Sequence, residues 1–277
     1  MNRLKACLIT AALLLVALPG GAAEPRISII IDDLGYQLAA GRRAIALPGA
    51  VTFAVLPGAP RAVALAALAH ENGKEVLLHL PLQANADKKL DEPIRIDLDM
   101  GRQQVAATFN AAMNAVPHAI GVNGHQGSLL TRHPGHMRWL MEAIRARDGL
   151  FFVDSYTTAR SVAMQVAAET GVAALRRDIF LDPDPDPATV ARQFERMKRL
   201  AIKRGTVVAI AHPYSATLAF LEKALPTLGA QGIRLVPISE LLTTSSAAAG
   251  VTVADEAAGR SAALPVIRTE PRRASAL

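Results

Sequence analysis

The amino-acid sequence predicts an α/β protein, an irregular β/α barrel of seven or eight mainly parallel strands. Short runs rich in β-branched and aliphatic residues alternate with alanine-rich segments of helical spacing, which is typical of βα units. Seven or eight such units within about 220 residues fit one closed or nearly closed barrel better than two separate domains. A doubly wound open sheet is the alternative architecture.

The predicted elements follow one another in a regular order along the chain. The strand candidates are residues 27–31, 51–55, 75–80, 119–122, 150–153, 178–181, 206–211 and 233–237. The helix candidates are residues 37–46, 61–71, 101–115, 135–147, 188–203 and 217–228. In either architecture ligands bind at the carboxyl ends of the parallel strands, so chemically active residues are expected to follow strand ends.

The two ends of the chain differ from this pattern. Residues 1–23 combine a short basic opening, an apolar run and small residues, which predicts a secretory signal peptide cleaved after Ala23. An uncleaved N-terminal anchor is the alternative. Export to the periplasm is therefore expected, with a folded domain over 24–244 and a poorly ordered, low-complexity tail over 245–277. Cys7, the single cysteine, lies in the signal, so thiol chemistry is not expected in the mature protein.

Charge alone does not identify the partner, but missing motifs argue against some classes of it. The formal net charge of +6 by itself suits a nucleic-acid partner or a periplasmic environment equally. No glycine-rich phosphate loop occurs, which argues against nucleotide chemistry. No nucleic-acid partner is expected. No second long apolar run follows the signal, so no membrane span is expected after cleavage.

Polar residues cluster at the predicted strand ends. The stretch IIIDDLGY places Asp32 and Asp33 directly after a buried strand, where two adjacent carboxylates repel each other and require solvent, a cap or a cation. The ends of later strands supply further candidates, namely His79, Asn123, His125, Ser128, Asp154, Ser155 and His212.

Several candidates have a simpler structural explanation, whereas nothing local requires a polar ring at His212. A helix-capping role would explain one aspartate of the doublet but not both, and it explains Asp154 equally well. His79 alone could be a satisfied buried histidine. The acidic repeat over 182–187 lacks the spacing of a calcium loop, and Asp186 is explained as a helix cap, so no function is expected for the repeat.

Taken together, these residue types indicate a catalytic metal site. One carboxylate and two neutral imidazoles are a common ligand set for a divalent cation that keeps a position open for water. Asp33, His79 and His125 are the predicted ligands, with Zn²⁺ as the expected ion. Asp32 is then the predicted base, and His212 the predicted acid.

The motifs IDDLG, LLHLPLQ, GVNGHQGS, FVDS and IAHP resemble the polysaccharide deacetylase (NodB-like) superfamily, specifically its divergent polysaccharide deacetylase branch, over 27–242. The resemblance implies a metal-dependent deacetylase of N-acetylated sugars. It also implies that Asp32 is the base, that Asp33 binds the metal and that His212 is the general acid. The chain departs from the superfamily pattern twice: Gln83 stands where a second histidine is usual, and the Arg-x-Pro-Tyr segment is missing.

Two hypotheses about function follow. The first is an exported metal-dependent hydrolase that acts on the amide of an N-acetylated glycan, in an acetylated polysaccharide or peptidoglycan. Asn123, Ser128, Asp154 and Ser155 would bind substrate or support the site. The second is an inactive envelope protein that binds or regulates glycan, favoured by the missing arginine motif and by an aromatic content of only 4%.

Overall fold

The computed structural model describes residues 24–85 and 92–242. The predicted signal peptide and the predicted C-terminal tail lie outside these residues and stay predictions. Within the described ranges, no helix combines the length and the apolar character needed to cross a bilayer.

The described residues form one sheet in which every pair of neighbouring strands is parallel. The strands are β1 (Arg26–Leu34), β2 (Thr52–Val55), β3 (Val76–Leu82), β4 (Ala119–Gln126), β5 (Phe151–Asp154), β6 (Ala174–Arg176), β7 (Ile179–Phe180), β8 (Thr206–Ala211) and β9 (Arg234–Leu235). The helices are α1 (Leu38–Ile45), α2 (Ala62–Glu71), α3 (Arg102–Ala115), α4 (Pro134–Arg145), α5 (Ala163–Thr170), α6 (Pro187–Arg204) and α7 (Ser215–Ala224).

All the predicted strands and helices are present, with ends displaced by a few residues, and the predicted fold class is confirmed. One strand and one α-helix of the described residues were not predicted from the sequence. Strand β6 is only three residues long, too short for a periodic signal. Helix α5 buries Ala163, Val166, Ala167 and Thr170, a helical spacing that could have revealed it.

The segment 174–180 joins the two edges of the sheet. The strand order is β6-β5-β4-β3-β2-β1-β8-β7, with β9 pairing separately with β1, so β6 and β7 stand at opposite ends of the order. They are nevertheless consecutive in the chain. The Arg177 amide donates to the Asp154 carbonyl at 2.9 Å, and the Asp178 amide donates to the Val208 carbonyl at 2.8 Å. One extended segment thus pairs with β5 through its first half and with β8 through its second half, and the sheet curls into an irregular barrel.

Alternate strand residues pack into two separate apolar layers. Ile29 and Ile31 belong to the larger layer, which the helices cover. Ile30, Leu77 and Ile210 belong to a smaller layer on the opposite face, inside the curl of the sheet. Burying each of these side chains contributes roughly 1.5–3 kcal/mol. The next interior position along each of the same three strands is polar, and these polar residues form the candidate site.

Candidate metal centre

The backbone of β1 explains how two adjacent aspartates serve one site. Successive strand residues normally point to opposite faces. The pairing of β1 with β2 is irregular between Ile31 and Leu34, and Asp33 has a φ of 60°. Asp32 Oδ2 lies 3.7 Å and Asp33 Oδ1 lies 3.0 Å from the same atom, Nε2 of His79. A left-handed backbone at a non-glycine residue is strained, and such strain is concentrated at functional sites.

Parallel pairing of β3 with β4 places the two imidazoles side by side. His79 is in register with Asn123, and Pro81 is in register with His125. Asn123 and His125 are two residues apart and therefore share a face. The prediction that Asn123 and His125 lie beyond the end of their strand was wrong, whereas His79 lies within its strand as predicted. Strands β3 and β4 extend to Leu82 and Gln126, because their pairing continues for several residues past the predicted limits.

Three donor atoms form a triangle whose edges are all 3.0 Å. They are Asp33 Oδ1, His79 Nε2 and His125 Nδ1. Asp33 Oδ1 is buried and has no hydrogen-bond partner of acceptable geometry. A buried oxygen that faces two ring nitrogens requires a proton or a cation between them. Imidazole nitrogen and carboxylate oxygen are ordinary ligands of divalent metals, so the residues present fit such an ion.

A buried amide links the metal cluster to the second aspartate. His79 Nδ1 donates to Asn123 Oδ1 at 2.9 Å, and Asn123 Nδ2 donates to Asp32 Oδ1 at 2.7 Å. With its proton on Nδ1, the His79 ring directs the Nε2 lone pair towards Asp33. Asn123 therefore holds the tautomer of one predicted ligand and the orientation of the predicted base.

The two aspartates have opposite pKa shifts. Burial raises the pKa of Asp32, against the lowering effect of His79, His212 and the hydrogen bond from Asn123. Burial would also raise the pKa of Asp33, but the imidazoles of His125 and His79 lower it well below its usual range. Adjacent carboxyl groups whose pKa values are pushed apart are typical of sites that divide acid–base work between them.

The titration of His79 predicts how metal affinity depends on pH. Burial lowers the pKa of His79, but the negative charge of Asp32 and the contact with Asp33 outweigh it and raise the pKa to about 9. A proton on Nε2 competes with a metal ion, so binding must release that proton throughout the neutral range. We expect the apparent affinity for Zn²⁺ to rise about tenfold per pH unit between about pH 6 and pH 8.

Competition with a chelator of known affinity measures this dependence, and calorimetry in two buffers of different ionisation enthalpy counts the protons released. An affinity that becomes constant above about pH 7 would show that His79 titrates at its ordinary value.

His212 faces the metal cluster from the other side. Its Nε2 lies 3.9 Å from Asp33 Oδ2, and its Nδ1 donates to Asp182 Oδ1 at 3.0 Å. Asp182 is buried and also accepts from the His212 amide and from the Thr217 hydroxyl. Burial lowers the pKa of His212, but the bond with Asp182 and the charges of the three nearby aspartates raise it above its ordinary value.

Asp182 is the site residue that the sequence analysis missed. It was assigned to an acidic repeat without function, although it directly follows the predicted strand 178–181, just as Asp32 follows the first predicted strand. That position was the signal that could have revealed it. The prediction that Asp186 is a helix cap is confirmed, because it accepts from the Thr189 amide at the start of α6 at 2.9 Å.

The remaining predicted residues are in or just after β4 and β5, and no contact described joins them to the triangle. Asp154 accepts from the Tyr156 amide and from the Ser161 hydroxyl, so it shapes its own loop, and burial raises its pKa. Ser155 is buried, and its Oγ has no hydrogen-bond partner. Ser128 Oγ accepts from the Asn85 amide. The supporting roles predicted for these residues stay predictions.

Arg177 is a basic group that the sequence analysis did not place near the site. Its Nε donates to the Ser155 carbonyl at 2.6 Å, and its Nη2 donates to the Tyr156 carbonyl at 2.9 Å. Burial lowers the pKa of Arg177, while the charges of Asp154 and Asp32 oppose this shift. A partly buried guanidinium thus stands beside the loop that follows β5, although the Arg-x-Pro-Tyr segment is missing from the chain.

The fold and the geometry define a parallel β/α barrel protein with a candidate divalent-metal site at the carboxyl edge of its sheet. The family model described as divergent polysaccharide deacetylase matches residues 29–242. This chain belongs to that family, as its motifs predicted.

Comparison with individual proteins agrees with this assignment. The chain is 36% identical to the uncharacterized protein YibQ of Escherichia coli K12, over 82% of this chain and 70% of that protein. It is 38% identical to an uncharacterized protein of Haemophilus influenzae, over 79% of this chain and 77% of that protein. The crystal structure of the uncharacterized protein ATU2773 from Agrobacterium tumefaciens C58 is similar with a TM-score of 0.74 at 22% identity, covering 81% of this chain and 92% of that chain. This last similarity shows the shared fold.

Proposed function

We propose that this protein is an exported, metal-dependent hydrolase that removes acetyl groups from the amides of an N-acetylated glycan. The observation that carries the proposal is the 3.0 Å triangle of Asp33, His79 and His125, flanked by Asp32 and by His212. Membership in the divergent polysaccharide deacetylase family supports the choice of an acetylated glycan as substrate.

The side chains divide the work of amide hydrolysis. Asp33, His79 and His125 hold the divalent ion, for which Zn²⁺ suits the two nitrogens and one oxygen. When bound, such an ion supplies Lewis acidity and lowers the pKa of water. Asp32 accepts a proton from the attacking water, and His212 donates a proton to the departing amine. The products are acetate and a free amino sugar.

The proposed location follows from the N-terminal sequence and from the substrate. Residues 1–23 have the features of a secretory signal, and polymeric N-acetylated glycans such as peptidoglycan lie outside the cytoplasmic membrane. Fractionation of cells that produce the full chain tests the location. Recovery of the protein in the cytoplasm with residues 1–23 retained would contradict it.

Acetate release from N-acetylglucosamine oligomers tests the proposed activity. The metal-free protein should be inactive, and addition of Zn²⁺, Co²⁺ or Mn²⁺ in separate samples should restore turnover. Release of acetate in the presence of a strong chelator would contradict metal dependence. Protein shown to contain metal that releases no acetate from oligomers or from peptidoglycan would contradict the activity and favour a glycan-binding role.

The hydrogen bond between Asp182 and His212 makes a further prediction about rate. In Asp182→Asn the negative charge that raises the pKa of His212 is lost, so the protonated acid persists over a narrower pH range. We expect kcat/KM to fall about ten- to a hundredfold, with the alkaline limb of the pH–rate profile moved to lower pH.

A neighbouring acid provides a matched control for this substitution. Asp184 is exposed and accepts only from the Asp186 amide in the contacts described, so Asp184→Asn should leave the profile unchanged. Equal metal content in both variants separates an effect on the acid from an effect on the metal site. An alkaline limb that does not move in Asp182→Asn would remove Asp182 from this role.

A further inference from the structure

A cavity of about 370 Å³ opens beside the metal centre. It lies between the segment that follows β1 and the segment that leads from β8 into α7. Asp33 and His212 contribute to its wall, so it adjoins both the predicted metal ligands and the predicted acid. A cavity of this size lies within the range of small-molecule sites. Tyr36, Gln37 and Tyr214 are among its other lining residues.

Two of the three tyrosines in the chain line this one cavity. The Tyr36 side chain is 47% exposed and that of Tyr214 is 44% exposed, and both are among the few large apolar side chains exposed in the described part of the chain. Aromatic residues make up only 4% of the whole sequence, so a high aromatic content does not explain why two tyrosines line this cavity. Exposed aromatic rings beside a polar site are typical of recognition surfaces.

Local contacts hold both rings in place. Tyr214 follows Pro213 and occupies the N-cap position of α7, and its ring centroid lies 5.4 Å from that of His212. Tyr36 donates through its hydroxyl to Glu92 Oε2 at 3.2 Å, which secures the tip of the side chain. Rings that are already positioned lose little conformational entropy when a ligand stacks on them.

We propose that Tyr36 and Tyr214 form a sugar-binding subsite, in which a pyranose ring of the substrate stacks against tyrosine beside the metal centre. This inference rests on the proposed function and narrows it. The apolar C–H face of a pyranose matches an aromatic ring, while its hydroxyl groups need polar partners such as the Gln37 amide at the cavity wall. The substrate class is therefore an oligosaccharide that extends beyond the acetylated residue, rather than a small acetamide.

Binding of the N-acetylglucosamine tetramer tests the subsite directly. Asp32→Asn serves as the parent protein, because it should bind the tetramer without consuming it. We expect Tyr36→Ala and Tyr214→Ala each to raise the Kd about tenfold by calorimetry. Tyr214→Phe should stay within about twofold, because stacking needs the ring and not the hydroxyl. Tyr36→Phe also loses the hydrogen bond to Glu92, so its Kd should fall between those of the parent and Tyr36→Ala.

An exposed apolar residue elsewhere provides the control. Ile202 on α6 is 64% exposed, and Ile202→Ala should leave the Kd unchanged. Unchanged affinity in both alanine variants, or no binding of the tetramer to the parent, would overturn the subsite. Tyrosine-dependent binding without acetate release by the wild-type protein would support the subsite while refuting the proposed deacetylation. Acetate release with a KM that is insensitive to both alanine substitutions would support the proposed deacetylation and refute the subsite.

Discussion

Asp33→Ala is expected to weaken divalent-metal binding by at least about a thousandfold. Loss of a residue that only supports a ligand typically costs ten- to a hundredfold in metal affinity, so loss of one of three direct ligands must cost more. Asp33 supplies the oxygen of the predicted ligand set, and its Oδ1 is 3.0 Å from both His79 Nε2 and His125 Nδ1. Without it the two imidazoles remain as an incomplete site.

Metal content after dialysis and the metal-induced shift in melting temperature measure this loss. A ligand at a hundred times its Kd stabilises the native state by about 2.7 kcal/mol, so the wild-type protein should melt several degrees higher with Zn²⁺ than without it. The variant should show no such shift. Asp148→Ala is the matched control, since Asp148 is exposed just before β5, at the opposite edge of the sheet. A normal metal content in Asp33→Ala would refute the assigned ligand set.

Asp32→Asn is expected to separate turnover from metal binding. Removal of a general base typically lowers kcat by a factor of about 10² to 10⁴, or roughly 3–5 kcal/mol of transition-state stabilisation. The asparagine oxygen can still accept from Asn123 Nδ2, so the buried bridge to His79 remains possible. Loss of the Asp32 charge weakens the attraction for the cation but also lowers the pKa of His79, so these two effects oppose each other and metal affinity should stay within a few-fold of the wild-type value.

Steady-state kinetics of acetate release and metal titration of the same preparation give both quantities. A preserved kcat would show that another group accepts the proton. A loss of metal equal to that in Asp33→Ala would show that Asp32 is itself a ligand, and the assignment within the doublet would be reversed.

Most of the fold could be predicted because most of the βα units carry a local signal. The strand of residues 27–31 is a buried run that contains four isoleucines, and α6 has a capping aspartate and an N-terminal proline that mark its start. Closure of the barrel could not be predicted in this way. It depends on Arg177 and Asp178 bonding to different neighbouring strands, and nothing within the segment 174–180 indicates which strand each half will meet.

The residues of the candidate site could largely be predicted from their type and their position at strand ends, but their geometry could not. The carboxyl-edge rule selected Asp33, His79 and His125, which the structure brings together. The left-handed backbone at Asp33 could not be predicted, because it arises from the irregular pairing of β1 with β2. Asp182 was missed because the acidic repeat was interpreted as the start of the following helix. Its position at the end of a predicted strand was therefore not considered.

The segment that closes the barrel has a consequence for changes in chain length. Strand β7 includes Phe180, and two residues later Asp182 meets His212. Because side chains alternate along a strand, inserting one residue between Arg177 and Asp178 would either shift the pairing with β8 or turn Asp182 to the wrong face. An insertion of two residues would preserve the alternation. Homologous chains of this fold should therefore vary in this segment by even numbers of residues, or compensate with a bulge.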